Sequence, residues 1–197
     1  MSTQGSPTRP ACHACQKIAM SILIGIMKGC IQVYTGNGKG KTTAALGVAL
    51  RAAGAGKKIF MAQFVKGMVY SELKAIRQFF PMVEIRQYGR DCFIYNEPEQ
   101  ADIDAAVKGL KETSDIILSG KYDIIILDEA NIAVYYKLFS AADLIGTIKQ
   151  KPDETEIIVT GRYAAPELIE AADLVTEMME IKHYYNKGVE ARVGIEC

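Results

Sequence analysis

The sequence predicts an α/β domain built on one mostly parallel sheet with helices on both faces. Three observations carry this. Short, continuously apolar runs rich in Ile and Val recur along the chain, as strands buried on both faces do. Stretches of helical period separate them. Glycine-rich or acidic residues stand directly after several runs, where the carboxyl ends of parallel strands hold ligands. At 197 residues the chain suits one domain with a sizeable core. No internal repeat or low-complexity linker divides it.

The elements follow in order. Residues 1–27 are Ser/Thr/Pro-rich and then apolar, and are expected to be a disordered leader or an overlong start, with the domain over 28–197. The apolar stretch Ile18 to Met27 is about ten residues long, too short to span a bilayer, and no A-x-A site follows it. The first strand is Ile31 to Tyr34. A helix starts at Lys41 or Thr42 and stops at Gly54 and Gly56, as helices commonly do. Lys58 to Phe64 reads as a second strand. Ser71 is a candidate cap for a short helix, Glu72 to Phe79. Val83 to Tyr88 is a third strand, followed by a polar–aromatic loop to Glu97. Pro98 opens a helix that runs to Leu118 with one apolar stripe through Ile103, Ala106, Val107, Leu110 and Ile117. Tyr122 to Leu127 is the clearest buried strand. Helical stretches at Val134 to Leu138 and Ala141 to Gln150 follow, the second capped by Ser140. Glu156 to Thr160 is a fifth strand, Pro166 to Ala172 a helix, and Leu174 to Lys182 a sixth strand. An edge strand is expected around Ala191 to Ile195.

The chemistry concentrates at strand ends. After Ile31-Gln32-Val33 the chain reads Y-T-G-N-G-K-G-K-T-T and then enters an alanine-rich helix. A glycine-rich turn between a strand and a helix start presents backbone N–H groups and a positive helix end to a polyphosphate. This is nearly a Walker A loop, and it marks the sheet as a P-loop (RecA-like) nucleotide-binding fold. The usual pattern anchored on Gly40-Lys41-Thr42 would place glycine at position 35, where this chain has Thr35. Gly36, Asn37, Gly38, Lys39, Gly40, Lys41, Thr42 and Thr43 are the candidate phosphate cradle. Lys41 neutralises phosphate oxygens, Thr42 offers a hydroxyl to Mg²⁺, and Lys39 is either a second phosphate cation or a solvated charge. Asp128 and Glu129 close the I-I-I-L run at a Walker B position and are metal-ligand candidates. Spacing leaves open which of them touches the ion, since neighbours on a strand face opposite ways. Arg162, after Thr160-Gly161, can clamp a phosphate bidentately. His183 is either a ligand contact or a strand-end residue.

Composition bounds the alternatives. Lys plus Arg number 23, as do Asp plus Glu. Zero net charge argues against a nucleic-acid groove. The five cysteines, Cys12, Cys15, Cys30, Cys92 and Cys197, form no disulfide framework, which fits a reducing, cytoplasmic compartment. Cys12-His13-Ala14-Cys15 is a lone C-x-x-C, with no second ligand pair to complete a zinc site. No activated serine, H-x-E cluster or kinase catalytic loop is present. A second substrate that brings its own nucleophile therefore suits the chain better than a kinase or ATPase reaction.

These motifs together resemble the P-loop type of ATP:corrinoid adenosyltransferase. The resemblance rests on V-Y-T-G-N-G-K-G-K-T-T-A-A at 33–45, G-K-K-I at 56–59, Q-F-V-K-G at 63–67, I-L-D-E at 126–129, I-V-T-G-R at 158–162, and K-H at 182–183 with G-V-x-A-x-x-G-I-E at 188–196. It covers residues 28–197. It implies that Co(I) of a reduced corrinoid attacks the 5′-carbon of ATP and that triphosphate leaves whole, with ATP held in reverse along the altered loop. It also implies that Gly36 to Thr43 hold phosphates, that Gln63 and Lys66 lie at the nucleotide rim, and that Arg162 contacts a phosphate. Thr42 and Glu129 match the family's ligands to Mg²⁺ (or Mn²⁺). An aromatic loop after the third strand covers the lower corrin face in the family. Here it reads G-R-D-C-F-I-Y-N, with different spacing, and Phe93 and Tyr95 are the candidates. A homodimer, an electron-donating flavoprotein or reductase as partner, and no membrane or nucleic-acid partner are further implications. The family's polar N-terminal helix over the nucleotide has no match before Lys28.

Overall fold

The computed structural model describes residues 28–90 and 97–196. Six strands, β1 (Ile31–Thr35), β2 (Ile59–Phe64), β3 (Val83–Tyr88), β4 (Ile124–Asp128), β5 (Glu156–Thr160) and β6 (Leu174–Glu177), form one sheet in the order β3-β2-β4-β5-β1-β6. Every pairing is parallel. Helices α1 (Lys41–Gly54), α2 (Ser71–Phe79), α3 (Gln100–Leu118), α4 (Ala130–Tyr135), α5 (Ala141–Ile148) and α6 (Pro166–Ala171) connect them. The expected fold class holds.

Strand alternation feeds two cores. Ile125 and Leu127 of β4 join Phe60 and Phe64 of β2 on one face, under Leu110 and Ile117 of α3 and Leu144 and Ile148 of α5. Ile124 and Ile126 point the other way and pack with Met61, Ile158 and the alanines of α1. Because both faces are covered, these strands are apolar at nearly every position rather than at every second one. On α1 the buried stripe is Lys41, Ala45, Ala49 and Ala52. Small side chains at i, i+4 and about i+7 let this helix lie close against the sheet, which fixes where its first turn sits.

Strand register places the chemistry. β5 lies between β1 and β4, so the strand that leads into the glycine loop and the strand that ends in Asp128 are about 10 Å apart. Gln63 of β2 stands opposite Asp128 of β4, and Thr160 of β5 opposite Tyr34 of β1. All these ends emerge on one rim.

Four local expectations change. Ser71 is the first residue of α2; the cap position is Tyr70. Helix α4 begins at Ala130, directly after Glu129, rather than near Val134. Strand β6 stops at Glu177 instead of Lys182, because the chain leaves the ladder to cover the glycine loop, Met178 O accepting from Gly38 N at 2.7 Å. The expected strand at 191–195 is a turn, since Glu196 folds back on Arg192 within one helical step. Ser140 does cap α5, accepting from Asp143 N at 3.0 Å. Residues 1–27, with Cys12 and Cys15, and the loop residues Cys92, Phe93 and Tyr95 lie outside the described residues. Among the described residues no helix is long and apolar enough to cross a membrane.

Candidate active site

The loop from Gly36 to Gly40 turns the chain from β1 into α1. Gly36 (φ 91°) and Gly40 (φ 118°) both take the left-handed region that glycine tolerates. The first turn of α1 carries no acidic side chain, so its positive end is left for an anion. Lys41 is buried, and its Nζ donates to Gly36 O and Gly38 O, both at 2.7 Å. Burial holds the Lys41 ammonium below its ordinary pKa; Glu129 opposes this and Arg162 adds to it. A partly desolvated cation at the centre of a glycine turn is a strong attractor for phosphate oxygens. Thr35, in place of the usual glycine, is buried, and its hydroxyl accepts from Ala164 N at 3.2 Å, tying the loop to the end of β5.

Asp128 is the hub opposite the loop. It is fully buried. Its Oδ1 accepts from Thr42 Oγ1 at 2.8 Å and Thr160 Oγ1 at 2.7 Å. Its Oδ2 accepts from Lys66 Nζ at 2.7 Å and Gln63 Nε2 at 3.3 Å. Burial pushes the Asp128 carboxyl up, but Lys66 and these hydrogen bonds outweigh it and hold it ionised below the usual range. Burial likewise pulls Lys66 down, while Asp128 and Glu129 raise it above its ordinary value. The pair is therefore ionised on both sides.

Glu129 behaves in the opposite way. Its backbone is left-handed (φ 58°), an uncommon conformation for this residue type. Its side chain lies against the turn after β5, with Oε2 3.2 Å from where a Cβ on Gly161 would stand. Burial first, and then the Asp128 charge, raise its pKa above the ordinary carboxylate range. Its carboxylate accepts no hydrogen bond among the described residues, whereas its backbone N–H donates to Thr160 Oγ1 at 3.1 Å. Beside it Gly161 (φ 129°) turns so tightly that a Cβ there would sit 2.9 Å from Asn131 Cβ. Asn131 Nδ2 donates to Gly161 O at 2.9 Å, which fixes the turn that carries Arg162. Arg162 is exposed at the rim, within electrostatic reach of Lys41 and Glu129.

Among the described residues the sequence candidates gather on this rim, with Lys39 and His183 turned to other partners; Phe93 and Tyr95 lie outside the described residues. Lys39 points away from the loop centre and donates to Ile195 O and Glu196 Oε1, each at 2.9 Å. The Gly38 N–H is engaged with Met178 O. Asn37 and Thr43 are exposed at the rim. His183 serves locally, its Nδ1 accepting from Tyr185 N at 3.1 Å. Sequence reasoning missed Thr160, Asn131 and the tail residues that reach Lys39. Thr160 alone carried a signal, as the hydroxyl directly before Gly161.

The residues fit a magnesium ion held mainly by water and phosphate. Among the described residues no group of three or more His, Cys, Asp or Glu can enclose an ion, and Mg²⁺ at a nucleotide takes only one or two protein ligands. Thr42 donates its proton to Asp128 and accepts only a long contact from Lys66 Nζ, at 3.5 Å, so a lone pair is left for a cation. A half-buried Glu129 carboxylate with no hydrogen-bond partner among the described residues, beside an ionised Asp128, gains from a nearby positive charge. Gln63 Oε1, buried with no partner among the described residues, can accept from a bound water.

A family model described as ATP:corrinoid adenosyltransferase BtuR/CobO/CobP matches residues 27–197. Curated relatives match most of the chain. The corrinoid adenosyltransferase of Pseudomonas aeruginosa is 34% identical over 170 residues, covering 86% of this chain and 84% of the relative. That of a Sinorhizobium species is 36% identical, covering 86% and 80%. That of Escherichia coli K12 is 31% identical, covering 86% of each. With the glycine loop, the Asp128 hub and the Arg162 turn gathered on one rim of a parallel sheet, this chain belongs to the ATP:corrinoid adenosyltransferase family.

Proposed function

We propose that this chain transfers the 5′-deoxyadenosyl group of ATP to the Co(I) centre of a reduced corrinoid, in adenosylcobalamin synthesis or salvage. The cobalt supplies the electron pair for the new cobalt–carbon bond. The C5′–O bond breaks, and its electrons leave with inorganic triphosphate. No protein base is needed. The work of the chain is to orient the sugar carbon and stabilise charge on the leaving group.

The observation that carries this reading is the buried Lys41 ammonium inside a glycine turn, facing a metal-type carboxylate pair. Residues Gly36 to Thr43 and Arg162 bind the triphosphate, Lys41 and Arg162 by charge. Gln63 and Lys66 hold Asp128 in place beneath it. Asp128 already accepts four hydrogen bonds, so it acts by orienting Thr42, and Glu129 and Thr42 are the direct ligands of Mg²⁺ (or Mn²⁺). A metal held by these two residues would supply positive charge for the oxygens of the leaving triphosphate. Phe93 and Tyr95 cover the lower face of the corrin. A homodimer, a cytoplasmic location and a flavoprotein or other reductase that delivers the electron complete the proposal.

The test is product analysis. Incubated with ATP, Mg²⁺ and a corrinoid reduced to Co(I), the protein yields intact triphosphate and a corrinoid with a cobalt–carbon bond. Release of ADP or AMP instead defeats the reading.

A further inference from the structure

The glycine loop has an outer wall. A Cβ on Gly36 would lie 2.4 Å from Met178 O, and one on Gly38 2.7 Å from the same atom. Met178 N donates to Thr35 O at 2.8 Å and Gly38 N to Met178 O at 2.7 Å, so the chain leaving β6 is hydrogen-bonded along the loop. Further on, Lys39 Nζ donates to Ile195 O and Glu196 Oε1, each at 2.9 Å.

The Glu196 carboxylate is itself built in. Its Oε2 accepts from Arg192 N at 2.9 Å and from Arg192 Nε at 3.3 Å. Its Oε1 accepts from Arg192 Nη2 at 3.2 Å and from the Tyr184 hydroxyl. The Arg192 guanidinium also lies over the Tyr184 ring, 4.9 Å from its centroid. Arg192 and Tyr184 hold the Glu196 carboxyl well below the usual carboxylate range. An ordinary surface ion pair uses one flexible contact on each side. Here four groups converge on one carboxylate, and the tail folds around it.

We propose that Glu196 is a positioning residue for the phosphate loop: together with Tyr184 and Arg192 it pins Lys39, and so holds a turn with glycine at 36, 38 and 40 in its binding shape. The physical reason is entropy. Alternating glycines give the loop many conformations when free, and ordering them at the moment of binding weakens affinity. A wall that orders the loop beforehand shifts that cost from binding to folding. The role appears in ATP and triphosphate affinity, not in the chemical step. It rests on the reading of this loop as the triphosphate site.

The experiment uses the full chain with Glu196→Gln, Lys39→Met, the double variant and Lys41→Ala. Calorimetry measures the Kd for inorganic triphosphate with Mg²⁺, and turnover assays separate KM for ATP from kcat. Tryptic cleavage after Lys39 in the ligand-free protein reports the clasp without any ligand. Glu196→Gln is expected to speed that cleavage and to raise Kd and KM by about threefold or more, with kcat at saturating ATP unchanged. The double variant is expected to bind no worse than Lys39→Met alone. Unchanged cleavage and Kd, tighter binding, or additive losses in the double variant overturn the proposal. If cleavage accelerates but Lys41→Ala binds triphosphate like the wild type, the triphosphate reading of the loop fails and takes the positioning role with it.

Discussion

Two neighbouring carboxylates, Asp128 and Glu129, show how much environment decides at the level of single residues. They share a strand end, yet their proton affinities move apart. Asp128 is held ionised by Lys66 and two hydroxyls, while Glu129 is pushed toward protonation by burial and by Asp128 itself. This sets them apart: Asp128 organises the protein's own donors, while the Glu129 carboxylate has no donor among the described residues. Lys41 provides the sharpest prediction at this scale. A charge-assisted phosphate contact is worth roughly 1.5–3 kcal/mol, so Lys41→Ala is expected to lower kcat/KM for ATP at least tenfold. Steady-state kinetics with saturating reduced corrinoid checks this. For Lys39, spacing leaves two readings open, a second phosphate cation or a solvated charge, and the structure engages its ammonium with the tail.

At the level of elements, α3 and β3 meet closely enough that a Cβ on Gly109 would lie 2.4 Å from Tyr88 Cγ. The Tyr88 hydroxyl donates to Glu112 Oε2 at 2.9 Å. Burial, and then this bond to Glu112, push the phenol up to about 12 from its ordinary value of 10.0. The folded protein therefore keeps this proton at pH values where the unfolded chain has lost it. The resulting stability is fully present below pH 10 or so and is lost as pH rises through about 12. Tyr88→Phe keeps the ring but removes the titration, so the fall in thermal midpoint between those pH values should be shallower in the variant. Tyr34 and Tyr122 are also raised, and a residual slope is expected from them. Strand β6 is the counter-example to element prediction. Its apolar run reads as a long strand, but the chain is needed over the glycine loop and leaves the sheet after Glu177.

At the scale of the whole molecule, equal numbers of acidic and basic residues leave only local fields. The cations near the rim, Lys41, Lys66 and Arg162, face Asp128 and Glu129 rather than forming a stripe. Retention on double-stranded DNA is accordingly expected to be absent at physiological salt. A salt-dependent shift in electrophoretic mobility with slope corresponding to several phosphates would contradict that.

Much of the fold was legible because a parallel sheet covered on both faces leaves its mark as unbroken apolar runs, and Ile124 to Leu127 is the clearest of them. The glycine loop was legible because few other purposes call for alternating glycines ahead of Lys-Thr-Thr. Thr160 and Asn131 were not, since a buried hydroxyl and a buried amide in a strand and a helix look like ordinary polar residues until strand register brings them to Asp128 and Gly161. The tail was misread for a similar reason. Val193 and Ile195 suggest an edge strand, while the Arg192–Glu196 return bond that forbids it depends on Lys39 and Tyr184 arriving from elsewhere.

The sequence by itself determined the parallel sheet, the glycine-rich loop between strand and helix and the family to which the chain is similar, because each of these follows from local patterns of residues. Only the tertiary structure decided which carboxylate stays free, where Lys39 points and what braces the loop. Those outcomes depend on contacts across as many as 157 positions of chain, and no local spacing encodes a bond whose two ends meet only after the sheet has formed.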